Sequence, residues 1–261
     1  MFVLIADLKE IWRYRNMLTN LVRRDLRSRY KGSVLGFLWT LVNPLLQLIV
    51  YALVFPYVLR VNIENYTLFL FVALLPWIFF SSSVLGATTS IVSGANLVTK
   101  IYFPRLLLPL SVICTNLMNY LFSLSIVFPV LLIAGTTMSW HVLWLPVVLL
   151  IEFLFILGLG LIFSALYVKY RDIEHIMSIV VFSWFYLTPV IFPVEAFPEW
   201  VGSLLYFNPM TAVITSIRNV LLYASPPDWP WLLYTFICGS VATLIGYSVF
   251  KRGEQTFAEE L

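Results

Sequence analysis

Charged residues are scarce in this 261-residue sequence: Asp, Glu, Lys and Arg together make up 11% of it, where a soluble domain carries about a quarter. A water-soluble globule is excluded, because 61% of the chain is hydrophobic and the mean hydropathy is +0.93. Cysteine is nearly absent. Cys114 and Cys238 both lie in apolar runs, where a thiol behaves as a small buried hydrophobe, so no disulfide framework is expected. His141 and His175 stand far apart without Cys or carboxylate spacing around them, and no metal site is expected. The chain has no G-x-x-x-x-G-K-[ST] loop to cradle nucleotide phosphates and no G-x-S-x-G nucleophile turn. It therefore has no motor of its own, and no catalytic residue is assigned. A net charge of +3 is too small to point to nucleic acid.

What the sequence has in abundance is long apolar runs. A bilayer core needs about 20 apolar residues per helix. Runs of that length fill 35–59, 66–91, 106–134, 141–168 and 229–250, while 176–194 is barely long enough and carries Pro189 near its outer end. The expected fold class is all-α: one polytopic membrane domain over 1–261 with six transmembrane helices, an N-terminal amphipathic interfacial helix, and short re-entrant outer helices between spans five and six. Its parts are a cytoplasmic interfacial segment (1–34), spans one to five (35–194), an outer hairpin (195–228), span six (229–250) and a cytoplasmic tail (251–261). Charges near the start are spread out instead of preceding a cleavable apolar core, so no secretory signal is read there.

Lys and Arg crowd before the first span, between spans two and three (Lys100, Arg105), after span four (Lys169, Arg171) and after span six (Lys251, Arg252). Arg60 and Arg218 remain for the other side, whose connections carry Glu64, Glu195, Glu199 and Asp228. The positive-inside rule then puts both termini in the cytoplasm. Residues 2–29 set Leu4, Ile5, Leu8, Ile11 and Trp12 against a basic face, the pattern of a helix lying in the membrane interface. In the outer connection, Pro198 and Glu199 suit a helix start, and Asn208-Pro209 is an N-cap followed by proline at the first helical position. From there Met210, Val213, Ile214, Ile217, Val220 and Leu221 line one face, with Thr211, Thr215 and Arg218 off it.

Some positions inside the spans are polar. Thr40, Asn43, Gln47 and Tyr51 share one face of the first span, next to Trp39. In the fifth, His175, Ser178, Phe182, Phe185 and Tyr186 do the same, and in the third Asn116, Asn119, Tyr120 and Ser123. Such stripes are either hydrogen-bonding glue between helices or the wall of a wet path. Glue is the reading for the third. For the first and fifth, rings joined to amides and hydroxyls suit a sugar, whose C–H faces stack on aromatics while its hydroxyls exchange hydrogen bonds. Glu152 is the one carboxylate well inside a span, a candidate for coupling or for a neutral structural role.

Five stretches in order, DLRSRYKGSVLGFLWTLVNPL (25–45), NLVTKIYFPRLLLPLS (96–111), YRDIEHI (170–176), FYLTPVIFP (185–193) and NPMTAVITSIRNVLL (208–222), resemble the membrane subunits of ATP-binding-cassette polysaccharide exporters, which serve O-antigen, capsule and teichoic-acid export. The resemblance implies a homodimer joined to two copies of a separate ATPase subunit in the bacterial inner membrane. A channel would carry a lipid-linked polysaccharide, with an undecaprenyl-diphosphate anchor, from cytoplasm to exterior. This chain would bind no cofactor, since ATP and Mg belong to the partner ATPase. The channel-lining candidates are Trp39, Thr40, Asn43, Gln47, Tyr51, Phe182, Phe185 and Tyr186. Lys100, Ile101, Tyr102, Phe103, Pro104 and Arg105 would form a coupling helix docked on the ATPase, and Tyr170, Arg171 and Asp172 a second contact. Arg23, Arg24, Arg27, Arg29 and Lys31 would meet the lipid diphosphate or simply anionic membrane lipid. The nearest alternative is an exporter of a drug or small lipid with the same architecture.

The orientation is directly measurable. Alkaline phosphatase, which is active only outside the cytoplasm, is expected to be inactive when fused to either terminus; activity at either one would overturn the topology.

Overall fold

The computed structural model describes residues 9–30, 32, 36–59 and 65–261. No strand occurs among them. The order is α1 (Arg15–Tyr30), α2 (Trp39–Leu59), α3 (Tyr66–Ser93), α4 (Ala95–Val98), α5 (Leu107–Ile133), α6 (Leu145–Lys169), α7 (Ile173–Tyr186), α8 (Glu199–Leu205), α9 (Pro209–Leu221), α10 (Trp229–Glu254) and α11 (Phe257–Glu260). Short 3-10 helices precede α2 (Gly36–Leu38) and α6 (Trp140–Trp144). Among the described residues, four helices are long and apolar enough to cross a membrane: Tyr66–Ser93, Leu107–Ile133, Trp140–Lys169 and Trp229–Glu254. The other two apolar stretches give shorter helices, Val42–Phe55 within α2 and Ile173–Tyr186.

α7 departs from the sequence expectation. The run expected at 176–194 is helical only from Ile173 to Tyr186, because Pro189 disfavours helical geometry at Thr188 and brings no N–H of its own. The Thr188 hydroxyl donates to the Trp184 carbonyl at 2.7 Å and closes the last turn. Beyond it the chain runs as an irregular exit to Val194. The first run is likewise trimmed, since its regular helix begins at Trp39 and not at Leu35.

α3 is the hub. It is buried round most of its circumference and packs against α2, α5, α6, α7 and α9. A smaller core gathers at the end of the bundle that carries Lys100, Arg105 and Lys251, called here the basic end. There Leu21 of α1 packs with Ile91, Phe103, Leu107, Phe250 and Phe257. α1 thus seats its apolar face on the helix bundle itself.

The most extensive helix pair is α6 with α10, and glycines set its spacing. A Cβ on Gly158 would lie 2.6 Å from backbone atoms of Ala242 and Thr243, and one on Gly246 would lie 2.6 Å from the Gly158 carbonyl oxygen. Small residues allow backbones in lipid to approach this closely, where dispersion replaces the missing hydrophobic drive. Alanine normally favours a helix by roughly 1 kcal/mol over glycine. At Gly158 the sign should reverse: overpacking of roughly 1–3 kcal/mol is expected to lower the melting temperature of detergent-purified Gly158→Ala by several degrees. Gly202→Ala, whose Cβ would touch only Val194 at 3.4 Å, is the control. Equal melting temperatures for the two would refute the close approach.

Candidate functional site

The polar stripe of α2 does not face one neighbour. Positions four apart advance by about 40° around a helix of 3.6 residues per turn, so Trp39 and Asn43 turn toward α5 while Gln47 and Tyr51 turn toward α7. Two clefts result. The first, of about 370 Å³, lies between α2, α3 and α5, and its polar lining includes Asn43, Ser82, Asn119 and Tyr120. The second, of about 290 Å³, lies between α2, α3 and α7 and is lined by Gln47, Tyr51, Ser178, Phe182, Phe185 and Tyr186, together with Trp77, Ser81 and Ser82 of α3. The structure therefore brings Gln47 and Tyr51 together with Phe182, Phe185 and Tyr186, and places Trp39 and Asn43 in the other cleft. The side chain of Thr40 lies outside the described residues.

Within the second cleft the rings differ in role. Phe185 is buried and wedged against Trp77 at 5.5 Å and Tyr51 at 5.9 Å. Phe182 and Tyr186 are exposed, in edge contact at 5.4 Å, and present ring surface to the space. Sequence reasoning missed Trp77, Ser81 and Ser82. The signal was the Ser81-Ser82-Ser83 run in an otherwise apolar helix. Glu152 is fully buried in α6, neither of its carboxylate oxygens meets a donor among the described residues, and it lines neither cleft.

The expected coupling helix at 100–105 is corrected by the structure: these residues form a turn, and the one-turn helix before it is α4. Pro104 explains this, since it disfavours helical geometry at Phe103. Phe103 is 4% exposed and anchors the turn in the basic-end core, while Tyr102 is 85% exposed and Ile101 also points outward. Arg105 ties the turn to the end of α10, its guanidinium donating to the Glu254 carbonyl and its backbone N–H to the Glu254 carboxylate at 3.3 Å. Lys251 pairs with that carboxylate at 2.9 Å. Tyr170, Arg171 and Asp172 are all exposed between α6 and α7. Arg171 lies over the Tyr167 ring at 5.4 Å, and the Tyr167 hydroxyl donates to Glu174 at 2.6 Å. Of the basic set, Arg23, Arg24 and Arg27 are exposed on α1, with Arg24 paired to Asp25 at 3.2 Å. Lys31 and the side chain of Arg29 lie outside the described residues.

The sequence profile of the ABC-2 type transporter family matches residues 17–222, from α1 through the end of α9. This chain belongs to that family. It is 39% identical over 260 residues to the O-antigen export system permease protein RfbA of Myxococcus xanthus, covering 99% of this chain and 100% of that protein. It is 32% identical over 247 residues to the protein of the same name from Klebsiella pneumoniae (94% and 95% covered), and 23% identical over 239 residues to the polysialic acid transport protein KpsM of Escherichia coli (89% and 91% covered).

In this ABC-2 transporter the exit from α7 is held by α9. Asn208 caps α9 as its sequence implied, accepting from the Met210 N–H at 3.0 Å, and also accepts from the Trp184 indole at 2.9 Å and donates to Thr188 at 2.8 Å. Arg218, read as lying off the apolar face, is in fact 3% exposed. Its guanidinium donates to the carbonyls of Phe69 (3.2 Å), Pro189 (2.6 Å) and Val190 (2.7 Å), and it lies 3.4 Å from the Phe69 ring centroid. Nearby, burial raises the Asp228 carboxyl above its usual range, offset in part by the Trp231 backbone N–H.

Arg218→Ala would strand three carbonyls and is expected to cost roughly 3–5 kcal/mol. Arg218→Lys keeps the charge but cannot reproduce the fork, so it should fall between alanine and wild type in melting temperature and in resistance of residues 187–208 to protease. Three indistinguishable proteins would refute the clamp.

Proposed function

We propose that this chain is the membrane subunit of an ATP-driven exporter that moves a lipid-linked cell-surface polysaccharide, of the O-antigen class, across the bacterial inner membrane. The observation that carries this reading is the second cleft: uncharged amide, hydroxyl and ring groups of α2, α3 and α7 converge there without any ionised side chain among its lining residues. A sugar polymer is recognised by such groups, because rings stack on C–H faces and amides exchange hydrogen bonds with hydroxyls. Each contact is weak and repeats along the chain, which permits sliding. The names of the relatives, an O-antigen permease matched over nearly the whole length and a polysialic acid transporter, support the same substrate class.

In this reading α2 and α7 are spans one and five, giving six spans with both termini cytoplasmic. α8 and α9 dip back into the outer leaflet. Two copies enclose the path, and two copies of a separate ATPase chain, carrying ATP and Mg, dock on the basic end. Tyr102 and Ile101 are the exposed contacts there, with Tyr170, Arg171 and Asp172 as the second. ATP closes the ATPases, the turns move, and α2 and α7 shift to open the cleft to its partner. Arg23, Arg24 and Arg27 attract the lipid diphosphate at the cytoplasmic face. The absence of any phosphate-binding loop in this sequence fits an external motor.

The test is complementation in a host lacking this chain. Tyr51→Ala with Phe182→Ala removes two stacking rings and is expected to cut surface glycan roughly tenfold at equal protein level. Tyr102→Ala with Ile101→Glu should abolish co-purification of the ATPase. Full surface glycan from the first variant would sink the path, and an unchanged complex from the second would sink the docking face.

A further inference from the structure

The polar stripe of the third span reads as interhelical glue, yet in the first cleft, where it meets Trp39 and Asn43, its polar groups do not close on one another. Tyr120 is 3% exposed, lines the cleft, and its hydroxyl has no hydrogen-bond partner among the described residues. The buried Oδ1 of Asn119 is likewise without a donor. A buried polar group without a partner in an apolar setting is costly, so these atoms favour a ligand that can hydrogen-bond them. They sit at the wall of a space of about 370 Å³, within the range that small ligands occupy. Asn43 and Ser82 add an amide and a hydroxyl, and Trp39 adds an aromatic surface. No charged side chain lines the chamber, so it offers nothing to select a phosphate or an ammonium.

The chamber is also next to the second cleft. Ile78 and Ser82 of α3 line both, and one turn of α2, from Asn43 to Gln47, passes from one to the other. An uncharged polyol in the second cleft needs to cross only this shared wall to reach Tyr120.

We propose that the chamber between α2, α3 and α5 is a sugar-binding subsite beside the path, in which Tyr120 and Asn119 hydrogen-bond the hydroxyls of a single glycan unit. This rests on the glycan path proposed above.

The experiment places the photocrosslinking residue p-benzoylphenylalanine at Ser123 or Leu75, which line only the first chamber, or at Tyr51, which lines only the second cleft. The full transporter is irradiated in cells making their own lipid-linked glycan. Glycan ladders attached at Tyr51 and at one or both chamber positions are expected. A ladder at Tyr51 alone overturns the subsite and leaves the path intact; no ladder at any position overturns the path and the subsite with it. A phospholipid adduct in place of glycan at Ser123 and Leu75 also overturns the subsite. Using both chamber positions covers failure of either variant to fold. In the Leu75 crosslinking protein, Tyr120→Phe removes a hydroxyl that holds no protein partner, and it should lower the glycan adduct roughly threefold to tenfold, the worth of one hydrogen bond. The same substitution in the Tyr51 crosslinking protein should leave its adduct unchanged. An unaltered Leu75 adduct would remove Tyr120 from the subsite and refute the assignment.

Discussion

Lipid offers no hydrogen bonds, so every break in a buried helix must be satisfied from within the protein. The structure meets this demand at the end of α7, where Pro189 stops the helix and one guanidinium collects the freed carbonyls of Pro189 and Val190 along with that of Phe69. Much of the architecture follows. Because the break is satisfied by α9, that helix must fold inward against α3 and α6. The aromatic residues of α7 stand beside Tyr51 and Trp77, and the second cleft runs along the helix from Ser178 to its last residue, Tyr186.

The bundle is uneven in its packing. α6 and α10 meet at glycine, backbone against backbone, and α3 is enclosed by five neighbours. α2 instead runs with polar space on two flanks, and Leu46, Ile49, Val50 and Leu53 on it are exposed. A helix held by few contacts shifts at small cost, whereas glycine-spaced helices move only together. The path candidates lie on the loosely held side.

Local chemistry was legible in the sequence, and distant partnership was not. The Asn208-Pro209 cap and the start of α8 at Glu199 follow from residues adjacent in the chain, and both stand where their chemistry put them. The long apolar runs gave the helices to within a few residues, save at Pro189. Arg218 could be seen as a charge on a helix but not as a buried clamp, because its acceptors Phe69, Pro189 and Val190 are 149, 29 and 28 residues away. The α2 stripe was visible as one face, yet its division between two neighbours depends on the drift of the helix and on where α5 and α7 stand. α3 gave little away: a helix buried on nearly all sides shows no periodicity, and only its serine run marked the wall it supplies.

The tie between Arg105 and Glu254 has a mechanical consequence. A load arriving at the exposed Tyr102 ring cannot dissipate in a limp loop, because Phe103 is rooted in the basic-end core and Arg105 is fastened to the last turn of α10. The glycine seam joins α10 in turn to α6, so the turn at 101–105 and the tightest helix pair of the bundle form one stiff unit.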